Sequence, residues 1–318
     1  MNQTNLVMQN PSDVLTPDAF RILRAIAQAG SFAGAARAIG VVPSALTYRV
    51  RQIEDALDVL LFDRSSRQAV PTAAGAELLR QGERLRGEVE AVVNRVKRMA
   101  TGWEPQLTIA VDGLIAHPAL MELACEFFNL NPPTRLRIRD EILSGTVGAL
   151  ASGRADLALG AILEPSNVAD LKARPLGTVR FVYAVAPHHP LAQMPEPLSD
   201  AELQKHRAVV VSDSTQSATT QSFGLIEGQD SFVVSSIASK LDAQLRGLGS
   251  GFLAEPMARP YLETGRLVAR QVERSTREVS LSYAWRASGA PGKALEWWLE
   301  QLDRPITRRA LLEQHRGV

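Results

Sequence analysis

Ser44, Tyr48 and Arg51 recur at helical spacing, with Thr47 and Gln52 beside them, so a helix through this stretch turns a row of polar side chains to one side. Hydroxyls, a phenol, a guanidinium and an amide on one face form a surface that donates and accepts hydrogen bonds, which is the chemistry of reading base edges in a major groove. At roughly 100° per residue, the same stretch VPSALTYRVRQIEDAL sets Leu46, Val50, Ile53 and Leu57 on the opposite side. One face packs and the other reaches out.

Such a helix needs a small core to stand on. Upstream, Phe20, Leu23 and Ile26 mark a helix over Pro17–Gln28, and Ser31 is placed to cap a short helix FAGAARAIG whose Phe32, Ala35, Ala36 and Ile39 face inward. Gly40 ends it, and Pro43 sits where a first helical turn tolerates a missing N–H, so helix, tight turn and second helix follow as a helix-turn-helix. Val59–Phe62 and Gln68–Val70 are short apolar pieces around DRSSR, predicting a two-stranded wing with Arg64 and Arg67 at its tip. Arginines there suit phosphate contacts; the alternative is an ordinary solvated turn.

The segment AIAQAGSFAGAARAIGVVPSALTYRVRQIEDALDVLLFDRSSRQAVPTAAGAELL resembles the winged helix-turn-helix of LysR-type transcriptional regulators. It has the GSF-type helix start, the A-A helix, a small-residue start to the second helix, LF-x-R and T-x-A-G in order. One departure stands out. Many LysR-type proteins have Ser-Arg-Gln where this chain has Thr47, Tyr48 and Arg49, so a tyrosine occupies the outward position usually filled by arginine. Arg49 itself lies nearer the packed stripe and is assigned to phosphate or to the protein's own surface.

From Ala73 to Met99 there is no proline, and Leu78, Leu85, Val92 and Met99 recur every seventh residue with Val89 and Val96 between them, only Gly82 breaking the seam. Charges of both signs flank it, a coiled-coil pattern that predicts a dimerisation helix; the alternative is an amphipathic helix lying on its own domain. The family resemblance implies a homodimer, with further contacts between effector domains building a homotetramer.

After TGWEP the pattern changes to alternating strands and helices. QLTIAV, RLRIRDE and DLALG read as strands separated by helices over Pro118–Asn129 and Thr146–Ser152, and FVYAVAP, RAVVVS, DSFVVSS and GSGFLAE continue the theme, with a helix over Ser236–Leu248. A strand over Leu281–Trp285 and a last helix over Lys293–Leu302 follow. Two parallel-sheet subdomains are the expectation from the pattern. The resemblance implies an effector domain similar to periplasmic solute-binding proteins.

The expected organisation is therefore α/β: a mobile tail over 1–16, a winged helix-turn-helix over 17–72, a dimerisation helix and linker over 73–105, an effector domain over 106–304 and a C-terminal tail over 305–318. Within the effector domain, the first subdomain takes about 106–180 plus 272–304 and the second about 181–271.

In open α/β sheets ligands sit beyond the carboxyl ends of strands, where helix N-termini offer free N–H groups. That rule points to Asp112, Gly113 and Leu114 after the first strand, to Leu143, Ser144 and Gly145 after the second, and to Ser212, Ser214, Thr215 and Gln216 after VVVS. Asp112 has two roles open to it, accepting from a hydroxyl or amine on an effector or capping the helix that follows.

With 318 residues the chain suits two or three domains. A formal charge of +1 excludes a generally polycationic nucleic-acid binder, so DNA contact must come from locally placed arginine. Cys125 is the one cysteine, which excludes a disulfide framework and fits a reducing cytoplasm. No stretch approaches the roughly 20 apolar residues that span a bilayer, so no membrane partner is expected. Neither HExxH, G-x-S-x-G nor a Walker-type loop occurs, and the adjacent His188 and His189 lack nearby ligands, so no catalytic, metal or cofactor residue is assigned. The partners expected are double-stranded DNA and a small organic effector. The reading is a ligand-responsive, sequence-specific transcriptional regulator resembling the LysR type; the alternative is a small-molecule-binding or transferase-like enzyme whose N-terminal helices only dimerise it.

Overall fold

Thr16 and Ser31 start the two helices that carry the N-terminal core. The Thr16 hydroxyl accepts from the Ala19 N–H at 3.3 Å and the Ser31 hydroxyl from the Gly34 N–H at 3.1 Å, satisfying donors that a helix start leaves open. The computed structural model describes residues 10–63, 68–163, 171–213, 225–274, 278–287 and 290–315. The chain forms two units, Met1–Val92 and Val93–Val318.

In the first unit, α1 (Pro11–Val14), α2 (Pro17–Ala29), α3 (Phe32–Ile39) and α4 (Pro43–Leu57) surround a core of Leu23, Ile26, Ala35, Leu46, Val50 and Ile53. Each fully buried Leu or Ile contributes about 1.5 to 3 kcal/mol relative to exposure. Gly40, at φ 73°, ends α3 in the left-handed region and lets the chain turn into α4. The expected tail over 1–16 is folded from residue 10 onward. Asn10 caps α1, and Val14 and Leu15 pack on the core, although a single helical turn is too short to show periodicity in sequence.

The wing pairs β1 (Phe62–Asp63) with β2 (Val70–Pro71) antiparallel, Phe62 opposite Pro71. The wing-tip residues Arg64 and Arg67 lie outside the described residues. Thr72 then caps α5 (Ala73–Thr101), accepting from the Gly75 N–H at 3.1 Å. Two glycines let this helix close on the unit. A Cβ on Gly75 would lie 2.0 Å from the Leu61 carbonyl oxygen, and one on Gly82 would lie 2.3 Å from the Phe20 ring. Gly82 breaks the seam because Phe20 occupies its place. Leu78 and Leu79 also pack on this core, whereas Leu85, Val89, Val92, Val96 and Met99 are 47% to 85% exposed.

In the second unit, β3 (Gln106–Asp112) lies parallel between β4 (Arg135–Glu141) and β5 (Leu157–Ala161), with α6 (His117–Asn129) and α7 (Gly145–Ala151) as the crossovers. The rest departs from the expected pair of parallel sheets. A long strand, β6 (Leu171–Val185), pairs antiparallel with β11 (Glu278–Arg286) over Leu171–Arg180. Beyond that it pairs antiparallel with β9 (Gly251–Ala254) and β10 (Val268–Arg270). Among the described residues, β7 (Ala208–Val211) and β8 (Ser231–Val234) make a separate parallel pair, and α8 (Asp200–Gln204), α9 (Ile237–Leu245) and α10 (Glu255–Glu263) complete this half. Pro175 and Gly177 hide the first half of β6 from a sequence reading. They flank a register shift against Leu281 and Ser282, where a strand tolerates the lost ladder donor.

The region expected as a C-terminal tail contains α12 (Pro305–Glu313), following α11 (Lys293–Leu302). Leu311 and Leu312 are buried, and the Leu311 carbonyl accepts from the Ala116 N–H at 2.7 Å. The buried Glu104 carboxylate accepts from the Gly292 and Ala294 N–H groups at 2.8 and 3.0 Å, placing an anion at the start of α11.

Candidate nucleic-acid interface and ligand cavity

Along α4, Leu46, Val50 and Ile53 are buried while Ser44, Tyr48 and Arg51 are exposed and Thr47 and Gln52 half-buried. Tyr48 is 62% exposed, and its hydroxyl accepts from the Gln52 side-chain amide at 3.1 Å, one turn on. That bond fixes two groups as a unit and leaves the phenol proton free to donate outward. Thr47 donates to the Pro43 carbonyl at 3.0 Å, so its hydroxyl offers only acceptance to a ligand. Arg49 reaches Asp18 at 3.8 Å, on the protein's own surface.

The cavity of the second unit lies between the carboxyl ends of β3 and β4 on one side and β7, β9 and α9 (Ile237–Leu245) on the other. It holds about 60 Å³ of water-sized space. Its walls are mostly apolar, among them Leu114, Ile162, Phe181, Val211, Phe252 and Leu253, and two ionisable groups join them, Asp112 and Lys240.

Asp112 lines the cavity, and its oxygens accept from the Leu114 N–H at 2.9 Å and the Leu143 N–H at 3.1 Å; it braces the two loops rather than capping α6, which begins at His117 without a side-chain cap. Burial pushes this carboxyl up to about 7, and the nearby Asp213 adds to the shift against the pull of the two N–H groups. Leu143 lines the cavity with φ 55°, a conformation held in place by the bond to Asp112. Lys240 is 7% exposed, and burial alone pushes its ammonium down to about 8.

Several expected ligand residues make bonds or close contacts within the framework. A Cβ on Gly113 would lie 2.9 Å from Ile237 Cγ1, so the missing side chain at 113 is what lets Ile237 close on the loop after β3. Ser144 donates to Asp213, Gly145 donates its N–H to the Ile142 carbonyl at 3.0 Å, and Ser212 donates to the Val234 carbonyl at 3.4 Å. None of these three lines the cavity. Ser214, Thr215 and Gln216 lie outside the described residues.

Residues 17–76 match the bacterial regulatory helix-turn-helix family of the lysR type, and residues 100–305 match the LysR substrate binding domain. The chain belongs to the LysR family of transcriptional regulators. It is 34% identical over 285 residues to the HTH-type transcriptional regulator YeeY of Escherichia coli K12, covering 90% of this chain and 92% of that one. It is also 35% identical over 290 residues to the probable HTH-type transcriptional regulator YhaJ of the same organism, covering 91% and 96%. The full-length structure of the Vibrio cholerae virulence activator AphB shares the fold at a TM-score of 0.54 with 17% identity, covering 91% of this chain and 98% of that one. A LysR-type regulator joins a DNA-binding helix-turn-helix to an effector-binding domain, so this protein is a ligand-responsive transcriptional regulator. Members of the family are oligomeric. Among the described residues no helix is long and apolar enough to cross a membrane, and no three His, Cys, Asp or Glu side chains are placed to hold a metal ion.

Lys240 is the residue that the turn-based reading of the sequence missed. Its signal is on α9, where Ile237, Lys240, Leu241, Gln244 and Leu245 follow the i, i+3, i+4, i+7, i+8 stripe of an inward helix face. A lysine and a glutamine in that stripe are buried polar groups, which stand out because such side chains are mostly exposed.

Proposed function

We propose that this LysR-type regulator reads its operator through the outward face of α4, with Tyr48 and Gln52 acting as one hydrogen-bonding unit and Ser44, Thr47 and Arg51 beside them. The exposed Tyr48 hydroxyl held by Gln52, on a helix whose other face is buried, is the observation that carries this reading. A lone phenol donor reads a single acceptor, or its ring lies against a thymine methyl, where an arginine would span guanine bidentately. Arg64 and Arg67 of the wing would neutralise phosphates, which sets position without sequence.

The cavity between the two halves of the second unit is the effector site in this reading, with Asp112, Leu114 and Leu143 on one side. The exposed apolar stripe of α5 supports dimerisation, and a tetramer would need further contacts between effector domains. The regulator acts in the cytoplasm, where its operator is.

Selection of preferred sites from random duplexes tests the reading. Tyr48→Arg should change the preferred base at one position in each half-site, and Tyr48→Phe should relax it. Arg51→Ala should weaken all sequences alike or relax one position. An unchanged preference in both Tyr48 variants would remove base reading by this residue. For the effector half, Ile142→Trp fills the cavity from a half-buried loop position. A reporter driven by the selected site should then lose its response to cell metabolites while DNA binding persists; a retained response would move the effector site elsewhere.

A further inference from the structure

Lys240 differs from the other lysines whose side chains are described. The chain has five lysines against thirty arginines, and Lys172, Lys205 and Lys293 are exposed. Lys240 is 7% exposed, lines the cavity, and has no hydrogen-bond or ion-pair partner among the described residues. A buried cation without a partner is unfavourable, and an arginine there would have to keep its charge. A lysine can release a proton and become an amine. Burial lowers the pKa of Lys240 to about 8, so at pH 7 it holds about 300 times as much free amine as an ordinary lysine. A free amine in an apolar pocket is a nucleophile towards carbonyl carbon.

Phe181, Val211, Phe252 and Leu253 line the same cavity, so water, which reverses the condensation of an amine with a carbonyl, is excluded once the space is filled. Ile237, one turn before Lys240 on α9, closes on the turn that carries Asp112, the acid among the residues lining the cavity. We propose that a small, mainly apolar aldehyde enters this cavity and condenses with the Lys240 amine, an inference that rests on reading the cavity as the effector site. The nitrogen adds to the aldehyde carbon to give a carbinolamine. Both protons of the amine end on the former carbonyl oxygen, which leaves as water, and a C=N bond remains; no oxidant or reductant is consumed. Asp112, with its carboxyl raised to about 7, holds both protonation states near neutral pH, the property of a group that relays such protons. The product is a neutral imine, so condensation removes the buried charge where an anion would only pair with it. At roughly 10 to 15 Å³ for each water-sized group, the 60 Å³ of the cavity takes about four to six such groups, the size of an aldehyde of about three to five carbons.

Reductive trapping on the full-length protein tests this. Propanal, isobutyraldehyde and pentanal, each with sodium cyanoborohydride, turn an imine into a stable secondary amine that peptide mapping by mass spectrometry locates. Lys240 should be alkylated about tenfold or more faster than Lys172, Lys205 and Lys293, a smaller span than the free-amine ratio because a less basic amine attacks more slowly. Ile142→Trp, which fills the cavity, should slow trapping at Lys240 and leave the exposed lysines unchanged. The best-trapped aldehyde should also shift operator affinity in the wild type. Lys240→Arg and Lys240→Gln, neither of which can condense, should not respond, with circular dichroism reporting the fold of every variant. The proposal is overturned if Lys240 is trapped no faster than the exposed lysines, or if Ile142→Trp leaves its rate unchanged. Either outcome leaves the cavity as an effector site for another chemistry, to be judged by the reporter response of the Ile142→Trp variant. Rapid trapping at Lys240 with operator affinity unchanged would instead sustain the condensation and remove the cavity as the effector site.

Discussion

The Ser144 hydroxyl donates to the Asp213 carboxylate at 2.7 Å, joining the loop after β4 to the loop after β7 across the cavity. The bond is exposed, so its net worth is about 0.5 to 1.5 kcal/mol. It favours the arrangement in which the two sides meet, and an effector that prefers that arrangement gains from it. Ser144→Ala should weaken effector binding by about threefold to tenfold without changing operator affinity in the absence of effector. Amide exchange at Leu143, beside the latch, should quicken; unchanged exchange and affinity would mean that the bond does not hold the cavity closed.

Gly82 and Phe20 give a prediction whose sign reverses. A Cβ at 82 would overlap the Phe20 ring at 2.3 Å, so Gly82→Ala should lower the stability of the N-terminal unit by about 1 to 3 kcal/mol, the range for overpacking. Alanine is nevertheless the better helix former by about 1 kcal/mol. In a Phe20→Ala background the clash is absent, and Gly82→Ala should then stabilise. Denaturant midpoints of the four proteins complete the cycle, and destabilisation in both backgrounds would place the cause outside this contact.

The helix-turn-helix was legible in the sequence because its buried stripe and its caps are local. Leu46, Val50 and Ile53 repeat with the helical period, and Ser31 and Gly40 punctuate it. What escaped depends on partners distant in the chain. α12 has only Ala310, Leu311 and Leu312 as an apolar run beside arginines, and it becomes a helix worth burying through contacts with Ala116 and Gly177. The continuity of β6 across Pro175 depends on a bulge that only β11 makes visible. For the cavity, the strand-end rule found Asp112, Leu114 and Leu143. It passed over Lys240, which arrives from a helix face rather than from a turn.

Lys240 should cost the ligand-free protein stability. Burial lowers its pKa from 10.5 to about 8, so between those values the unfolded chain holds a proton that the folded chain lacks. Stability therefore falls as pH drops from 10.5 to 8, and the whole cost is present below 8. At about 1.36 kcal/mol for each pH unit, the 2.5 between 10.5 and 8 correspond to a cost on the order of 3 kcal/mol. Lys240→Met should raise the melting temperature at pH 7, with the advantage shrinking as pH rises towards 10.5. Asp112 titrates in both proteins and cancels in the difference. An advantage that is constant from pH 7 to 10 would assign the gain to packing rather than to charge.

The stripe on α5 divides by function between neighbouring heptads. Leu78 is half-buried against the core of its own unit, whereas Leu85 and Val92 are 47% and 55% exposed. Their helix neighbours are paired along the helix itself, as in Arg84 with Glu88 and Arg86 with Glu90, leaving the apolar residues as the surface available to a second copy. Replacing both Leu85 and Val92 with glutamate costs a free chain little, since both positions face solvent. In a dimer it would bury unpaired charge at the contact. The double variant should sediment as a monomer with its thermal transition for the N-terminal unit retained. Operator affinity should fall by about a hundredfold or more, because each half-site must then be bound without its tethered neighbour. Leu78→Glu should behave in the opposite way and melt the N-terminal unit itself, since that side chain leaves its own core. A double variant that remains dimeric and bound to operator would show that the contact between copies lies off this stripe.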